Sequence, residues 1–244
     1  KIYKNCIFDL YGTLVDIRTD ENKEELWEKL SLFYAFYGAF YTPEELARSY
    51  KRLTGEMTAG HEELRRDSHE AFPEIRIEEV FRALFEEKGI APDEPLVRHA
   101  GQFFRILSME FIRLYDGTEE MLSAVKESGR KIYLLSNAQR IFTEYEMNAL
   151  GITKYFDGIF ISSDEGCKKP DLKFFRKLID TCGIDPERAV MVGNDGICDI
   201  EGAKRAGLGT VYVHSDISPA EDAPDADYVL PQMDMEQIRK ILLS

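Results

Sequence analysis

Apolar positions recur along this chain in two rhythms. Ile2 to Leu10 is a short, nearly continuous apolar run closed by an acid, the pattern of a strand buried on both faces. From about Asp20 to Arg113 the spacing becomes helical, with Leu26, Leu30, Phe33, Tyr34 and Tyr37 on one face. Thr42-Pro43-Glu44-Glu45 predicts a helix start, with Thr as cap, Pro at the first position and Glu at the third. Arg76 to Lys88 and Leu96 to Leu114 predict further helices, and no strand is expected in this block. After Asp116-Gly117 the rhythms alternate. Helices are expected at Glu119 to Glu127, Phe142 to Leu150, Asp171 to Thr181 and Ile200 to Ala206. Strands are expected at Lys131 to Leu135, Gly158 to Ser162, Ala189 to Val192, Gly209 to His214 and Tyr228 to Leu230, with a last helix after them. Ser215 to Asp227 reads as a surface loop. Strands separated by helices imply parallel pairing through right-handed crossovers. The expected fold is α/β, a Rossmann-like parallel sheet with helices on both faces plus an all-helical domain inserted after the first strand. Its expected bounds are 1–19 and 112–244 for the core and 20–111 for the insert.

Ligands of such sheets bind at the carboxyl ends of the strands, so the residues there carry the chemistry. The first strand ends Asp9-Leu10-Tyr11-Gly12-Thr13. A carboxylate leaving a buried strand can be a covalent nucleophile or a metal ligand, and Thr13 can hydrogen-bond it. An Asp before Gly-Thr is, by itself, more often a turn device. Ser136-Asn137 can hold a small oxyanion or merely cap the next helix. In Gly166-Cys167-Lys168-Lys169-Pro170 a lysine can screen two carboxylates or sit solvated in a loop. In Gly193-Asn194-Asp195-Gly196-Ile197-Cys198-Asp199 two acids four apart suit magnesium beside Asp9, or a helix N-terminus that favours acids. All four clusters, in this order and each at a strand end, are poorly explained as caps.

These motifs resemble the haloacid dehalogenase-like hydrolase superfamily across the expected core. The helical block after the first motif is similar to members with a helical cap. The resemblance implies that Asp9 attacks an electrophilic phosphorus or carbon and that water then hydrolyses the aspartyl intermediate, with Ser136 and Lys169 holding the transferring group. In phosphatase members Mg2+ lies between the nucleophile, the carbonyl two residues on and an acid of the last motif. Here those are Asp9, Tyr11 through its carbonyl, and Asp195, with Asp199 behind. The position two after the nucleophile, usually a general acid–base Asp, is Tyr11, a poor base near neutrality with an ordinary pKa of about 10. A tyrosine there is similar to the metal-free 2-haloacid dehalogenases. That reading needs a carboxylate clamp such as Arg18 or Arg52. A third possibility is a catalytically weak metabolite-binding member. The expected activity is a magnesium-dependent phosphatase acting on a small phosphorylated metabolite.

Composition narrows the partners. Forty-five acids against 31 bases give a formal net charge of −14, which repels nucleic acid and anionic membranes. An anionic small molecule then needs a local positive site. No apolar run reaches the length of a membrane span, and Lys1 to Leu10 is too short for a signal peptide. Cys6, Cys167, Cys182 and Cys198 lack metal-type spacing, so a cytoplasmic protein with reduced thiols is expected, monomeric or homodimeric. The aromatics Trp27, Phe33, Tyr34, Phe36, Tyr37, Phe40 and Tyr41 are expected mostly as packing within the insert. Gly38 and Ala39 are candidates for close approach to a substrate. His61, Arg65 and Arg66 are candidates for a remote anionic group, or a solvated helix face.

Overall fold

A computed structural model describes residues 2–66 and 74–244, and for residues 60–66 the backbone alone. The central sheet is built from β1 (Asn5–Phe8), β4 (Lys131–Ser136), β5 (Gly158–Ile161), β6 (Ala189–Gly193), β7 (Gly209–Val213) and β8 (Tyr228–Leu230) in the order β5-β4-β1-β6-β7-β8. All of its pairings are parallel. Side chains alternate across it. Cys6, Phe8, Ile132, Leu134, Val190 and Val192 enter one apolar cluster. Ile7, Tyr133, Leu135, Ala189 and Met191 enter another on the opposite face. Both faces are covered, which is why the strands read as apolar runs rather than as alternation.

Helices α5 (Thr118–Glu127) and α10 (Met235–Leu243) supply Met121, Leu122, Ile238 and Leu242 to the first cluster. Helix α8 (Leu172–Cys182) lays Phe174, Phe175 and Leu178 on the second, each such side chain contributing about 2 kcal/mol on full burial. It starts where Asp171 accepts the Lys173 N–H at 2.9 Å, an N-cap that satisfies an otherwise orphaned donor. Helix α6 (Arg140–Ala149) follows β4, the short α7 (Ser162–Glu165) follows β5, and α9 (Gly202–Arg205) continues a π-helical turn, Gly196–Glu201.

The insert contains α1 (Glu24–Phe36), α2 (Pro43–Arg66), α3 (Glu78–Glu86) and α4 (Glu94–Ser108). These enclose an apolar cluster of their own around Leu30, Tyr34, Phe81, Phe85 and Phe104. The helix start at Thr42 is present as a reciprocal box: Glu45 N–H donates to Thr42 Oγ1 at 3.1 Å, and Thr42 N–H to the Glu45 carboxylate at 3.4 Å.

One expectation needs correcting. The helix read through Leu114 stops at Ser108, and Met109–Leu114 is a strand, β3, antiparallel to β2 (Val15–Thr19). Met109-Glu110-Phe111-Ile112 alternates too briefly to outweigh the helical run before it. Its partner strand lies far away in sequence, and the Arg113–Asp16 ion pair at 2.8 Å across the two strands is a non-local contact. The insert is therefore helical but mounted on a two-stranded stem. Among the described residues no helix is long and apolar enough to cross a membrane, and the four cysteines are free thiols.

Candidate active site

Asp9 leaves the carboxyl end of β1 between β4 and β6, and its N–H donates to the Val192 carbonyl at 3.0 Å. The chain then coils tightly. Leu14 and Val15 N–H groups both donate to Leu10 O, and Gly12 N–H donates to Val15 O at 2.8 Å. Gly12 adopts φ +81° there, and a Cβ on it would collide with Asn194 and Ile217, so the turn requires glycine.

Three chain segments meet at Lys169. Its ammonium, almost wholly buried, donates to Asp9 Oδ1 at 2.8 Å and to Asp199 Oδ1 at 2.7 Å. Burial alone would lower the lysine pKa, but Asp199 and Asp9 outweigh it and hold the group charged, above its ordinary value. Burial pushes the Asp199 carboxyl up, Lys169 pulls it down, and Asp9 adds to the upward push. Asp199 is otherwise satisfied by the backbone: its Oδ2 accepts the N–H groups of Asn194 and Asp195, both at 3.0 Å. That carboxylate occupies the space over Gly193, where a Cβ would lie 2.3 Å from it. Only glycine admits Asp199 to the centre.

Asn137 holds the backbone of Lys169 on both sides. Its Nδ2 donates to the Lys169 carbonyl at 2.9 Å, and its Oδ1 accepts the Lys169 N–H at 2.8 Å. Its role here is to place the lysine. Ser136 is buried at the end of β4, and its hydroxyl has no partner among the described residues, which is unusual for a buried donor and marks a group with a hydrogen bond to give.

Asp195 and Asp199, a pair by their spacing, are separated by the structure. Asp195 Oδ1 accepts from Ile197 N at 3.0 Å and Cys198 N at 2.7 Å, so its carboxylate caps the π-helical turn. Asp199 is the acid that joins Lys169. The residue facing Asp9 from the last motif is Asn194. Turned one way, its amide nitrogen lies 3.1 Å from Asp9 Oδ2, 3.1 Å from Thr13 Oγ1 and 3.2 Å from the Tyr11 carbonyl. Turned the other way, its oxygen accepts the Thr13 hydroxyl at 3.1 Å and confronts the carboxylate and carbonyl with no proton between them. The sequence signal for Asn194 is its place directly after Gly193, and a neutral amide there draws less notice than the acid beside it.

Tyr11 divides its roles. Its carbonyl belongs to the Asn194 cluster, while its phenol turns away to α6 and donates to Glu146 Oε1 at 2.7 Å. Burial, then the Glu146 charge, raises the phenol well above its ordinary pKa, against the pull of Arg105. Neither guanidinium named as a clamp joins the centre: Arg18 pairs with Glu110 at 3.0 Å, and Arg52 with Glu56 and Glu87. Among the insert aromatics, Trp27 and Tyr34 are buried and Phe33 and Tyr41 pack against them. Phe36 and Phe40, 87% and 72% exposed, depart from the packing expected of them. Gly38 has φ +89°, where a Cβ would meet the Ile90 side chain, and Ala39 is buried within the insert. The side chains of His61, Arg65 and Arg66 lie outside the described residues.

Asp9, just beyond a central strand, Lys169 and Asp199 thus form a buried cluster of two acids and one ammonium at the carboxyl end of a Rossmann-like sheet. Residues 3–207 match the family model for haloacid dehalogenase-like hydrolases, and the chain belongs to that family. It is 30% identical over 167 residues to the phosphoserine phosphatase of Thermus thermophilus, covering 68% of this chain and 64% of that one. It is 31% identical over 130 residues to the glyceraldehyde 3-phosphate phosphatase of Methanothermobacter thermautotrophicus, covering 53% of this chain and 58% of that one. The chain thus spans less than two thirds of the length of these relatives. The solved 2-haloacid dehalogenase of Pseudomonas syringae superposes with a TM-score of 0.65 at 21% identity, over 99% of this chain and 98% of that one, a likeness of fold.

Proposed function

We propose that this hydrolase is a phosphatase acting on a small phosphorylated metabolite, with Mg2+ as cofactor and α1–α4 as the cap that closes over the substrate. The observation that carries this reading is the cluster of oxygens at Asp9. Without a cation the amide is satisfied with Nδ2 turned inward; turned the other way, Asn194 Oδ1 accepts the Thr13 hydroxyl and meets Asp9 Oδ2 and the Tyr11 carbonyl as three acceptors, an arrangement that a hard cation reconciles. Among the described residues no three of His, Cys, Asp and Glu gather as a cation site. The fit therefore rests on one carboxylate and two neutral oxygens, the donor types Mg2+ accepts. Asp195 Oδ1 is committed to its cap. Bound there, Mg2+ supplies positive charge to the transferring phosphoryl oxygens. The phosphatase names of relatives near 30% identity support the same substrate class.

The chain's own residues then divide the work. Asp9 attacks phosphorus through Oδ1, the oxygen that Lys169 orients, leaving Oδ2 for the cation. The Lys169 ammonium keeps the carboxylate ionised and attracts the phosphoryl charge. The Ser136 hydroxyl donates to a phosphoryl oxygen. Water then releases phosphate and regenerates Asp9. Tyr11 takes no proton in this scheme, because its phenol is committed to Glu146 and its pKa is raised. Substrates whose leaving group departs as a stable anion should therefore be turned over best.

Release of p-nitrophenol from p-nitrophenyl phosphate tests the reading, since that leaving group needs no proton. Turnover is expected with Mg2+, and none above the Asp9→Asn background in excess chelator. Full activity in chelator would refute the metal. A companion variant, Asn194→Asp, adds a charged ligand and is expected to lower the half-saturating Mg2+ concentration about tenfold; an unchanged requirement would remove Asn194 from the site. The opposite amide orientation, with Nδ2 donating to Asp9, favours a second reading as a metal-free 2-haloacid dehalogenase. Halide release from 2-chloropropionate with no phosphatase activity would select it.

A further inference from the structure

A buried polar chain runs from the cap to the nucleophile turn. Arg105, on α4, donates from Nε to Glu146 Oε2 and from Nη2 to Glu146 Oε1, both at 2.9 Å. Glu146, on α6 of the core, also receives the Tyr11 hydroxyl on Oε1 at 2.7 Å. Thr143, one turn earlier on α6, lies 2.9 Å from the same hydroxyl. The Arg105 guanidinium stands 5.6 Å from the centre of the Tyr11 ring and 5.1 Å from that of Phe142. The side chains of Arg105 and Glu146 are only 19% and 10% exposed. Three separate parts of the fold thus share one carboxylate.

The energetics make this arrangement two-state. A buried bidentate pair is tolerable only while both partners are in place, and removing one leaves a desolvated charge. Glu146 therefore favours α4 seated against α6. Its Oε1 serves Arg105 and Tyr11 at once, so withdrawal of Arg105 frees the carboxylate to turn toward water and away from the phenol. Among the described residues the phenol then keeps one hydrogen-bond partner, Thr143, while the ring still packs against the core. Tyr11 also carries the carbonyl that faces Asp9 and Asn194. Ring and carbonyl share one Cα, so an anchored phenol restricts the φ and ψ that Tyr11 can adopt, and a released phenol lets the direction of the carbonyl vary.

We infer that Arg105, Glu146 and Tyr11 form a latch by which docking of the cap fixes the nucleophile turn. They are positioning residues: none needs to touch the substrate. Seating α4 completes the Glu146 site, holds the phenol on α6 and sets the Tyr11 carbonyl beside Asp9. An open cap leaves the turn loose. Turnover is thereby reserved for the closed state, in which water is excluded.

The effect on turnover rests on the function proposed above; the effect on the turn does not. Hydrogen exchange of the Gly12, Thr13, Leu14 and Val15 amides, which bond within the turn, reads the latch in the protein without substrate or metal. In Arg105→Gln/Glu146→Gln, which removes both charges together, exchange at these amides is expected to rise about tenfold or more while β6 amides stay protected. Unchanged exchange at the turn would overturn the latch. Should that double variant fail to fold, Tyr11→Phe, lacking a single hydroxyl, is read in the same way. In turnover, Tyr11→Phe is expected to lower kcat about tenfold with KM nearly constant, and to do nothing more in the double-variant background. Additive losses would mean that the residues act separately and would reject the coupling. Absence of phosphatase activity in the parent protein would count against the proposed function and leave the exchange result to decide the latch.

Discussion

Asp9→Asn is expected to abolish turnover, by at least about a thousandfold, while leaving the protein as stable as before or more so. The first half follows from the loss of the anionic carboxylate that serves as nucleophile. The second half follows from charge. The centre holds two carboxylates and one ammonium, all buried or nearly so. Removing the Asp9 charge leaves Lys169 and Asp199 as a neutral pair, still joined at 2.7 Å. The pH dependence changes with it. Asp199 is held above the ordinary carboxylate range by burial, with Asp9 adding to that push. Between the ordinary carboxylate range and its folded value of about 7, the folded chain keeps a proton that the unfolded chain has released, and above that value Asp199 is ionised. This stabilisation is complete below about pH 4, the unfolded value, and is lost as pH rises through the folded one. Without Asp9 the folded value falls and the window narrows. Calorimetry between about pH 4 and 8 reads this directly; a variant that unfolds several degrees lower at neutral pH would sink the electrostatic account.

Lys169→Met carries the opposite cost. It is expected to lower turnover about 100- to 1,000-fold and stability by about 3 kcal/mol. Methionine fills the lysine's volume but leaves two carboxylates facing each other without a cation. A second change, Asp199→Asn, should then restore most of the stability and none of the turnover, because it relieves the buried charge without returning an ammonium to Asp9. Urea denaturation and p-nitrophenyl phosphate turnover measure the two effects separately. An undiminished rate in Lys169→Met would show that the ammonium is not what supports the nucleophile.

The central sheet is legible in the sequence because burial on both faces leaves an unmistakable record. Ile7 and Phe8 point to opposite faces, yet both must be apolar. Asp9 and Ser136 at the ends of β1 and β4, and Lys169 and Asp199 in the segments that follow β5 and β6, can be chosen from the sequence, since parallel strands present their carboxyl ends and the segments after them on one side. The stem strands are hidden because their pairing joins Val15–Thr19 to Met109–Leu114 across the whole insert, and local periodicity carries no trace of a distant partner. The parts of Asp195 and Asn194 are hidden for another reason. Adjacent residues at a turn point in different directions, and only the path of the loop decides which one caps the π-helical turn and which one faces Asp9. Likewise, Glu146 and Arg105 read as ordinary helix-surface charges until α4 and α6 are brought together.

The two-stranded stem makes the insert a cassette. Val15–Thr19 and Met109–Leu114 run side by side, with Thr19 paired to Met109, so the chain enters and leaves the insert through one doorway. The strands of the central sheet pair with one another and not with the insert. A tight turn joining the two strands would close it as a hairpin, and a larger module could be mounted on the same pair. The insert can thus be enlarged, trimmed or exchanged while the strands of the central sheet keep their register.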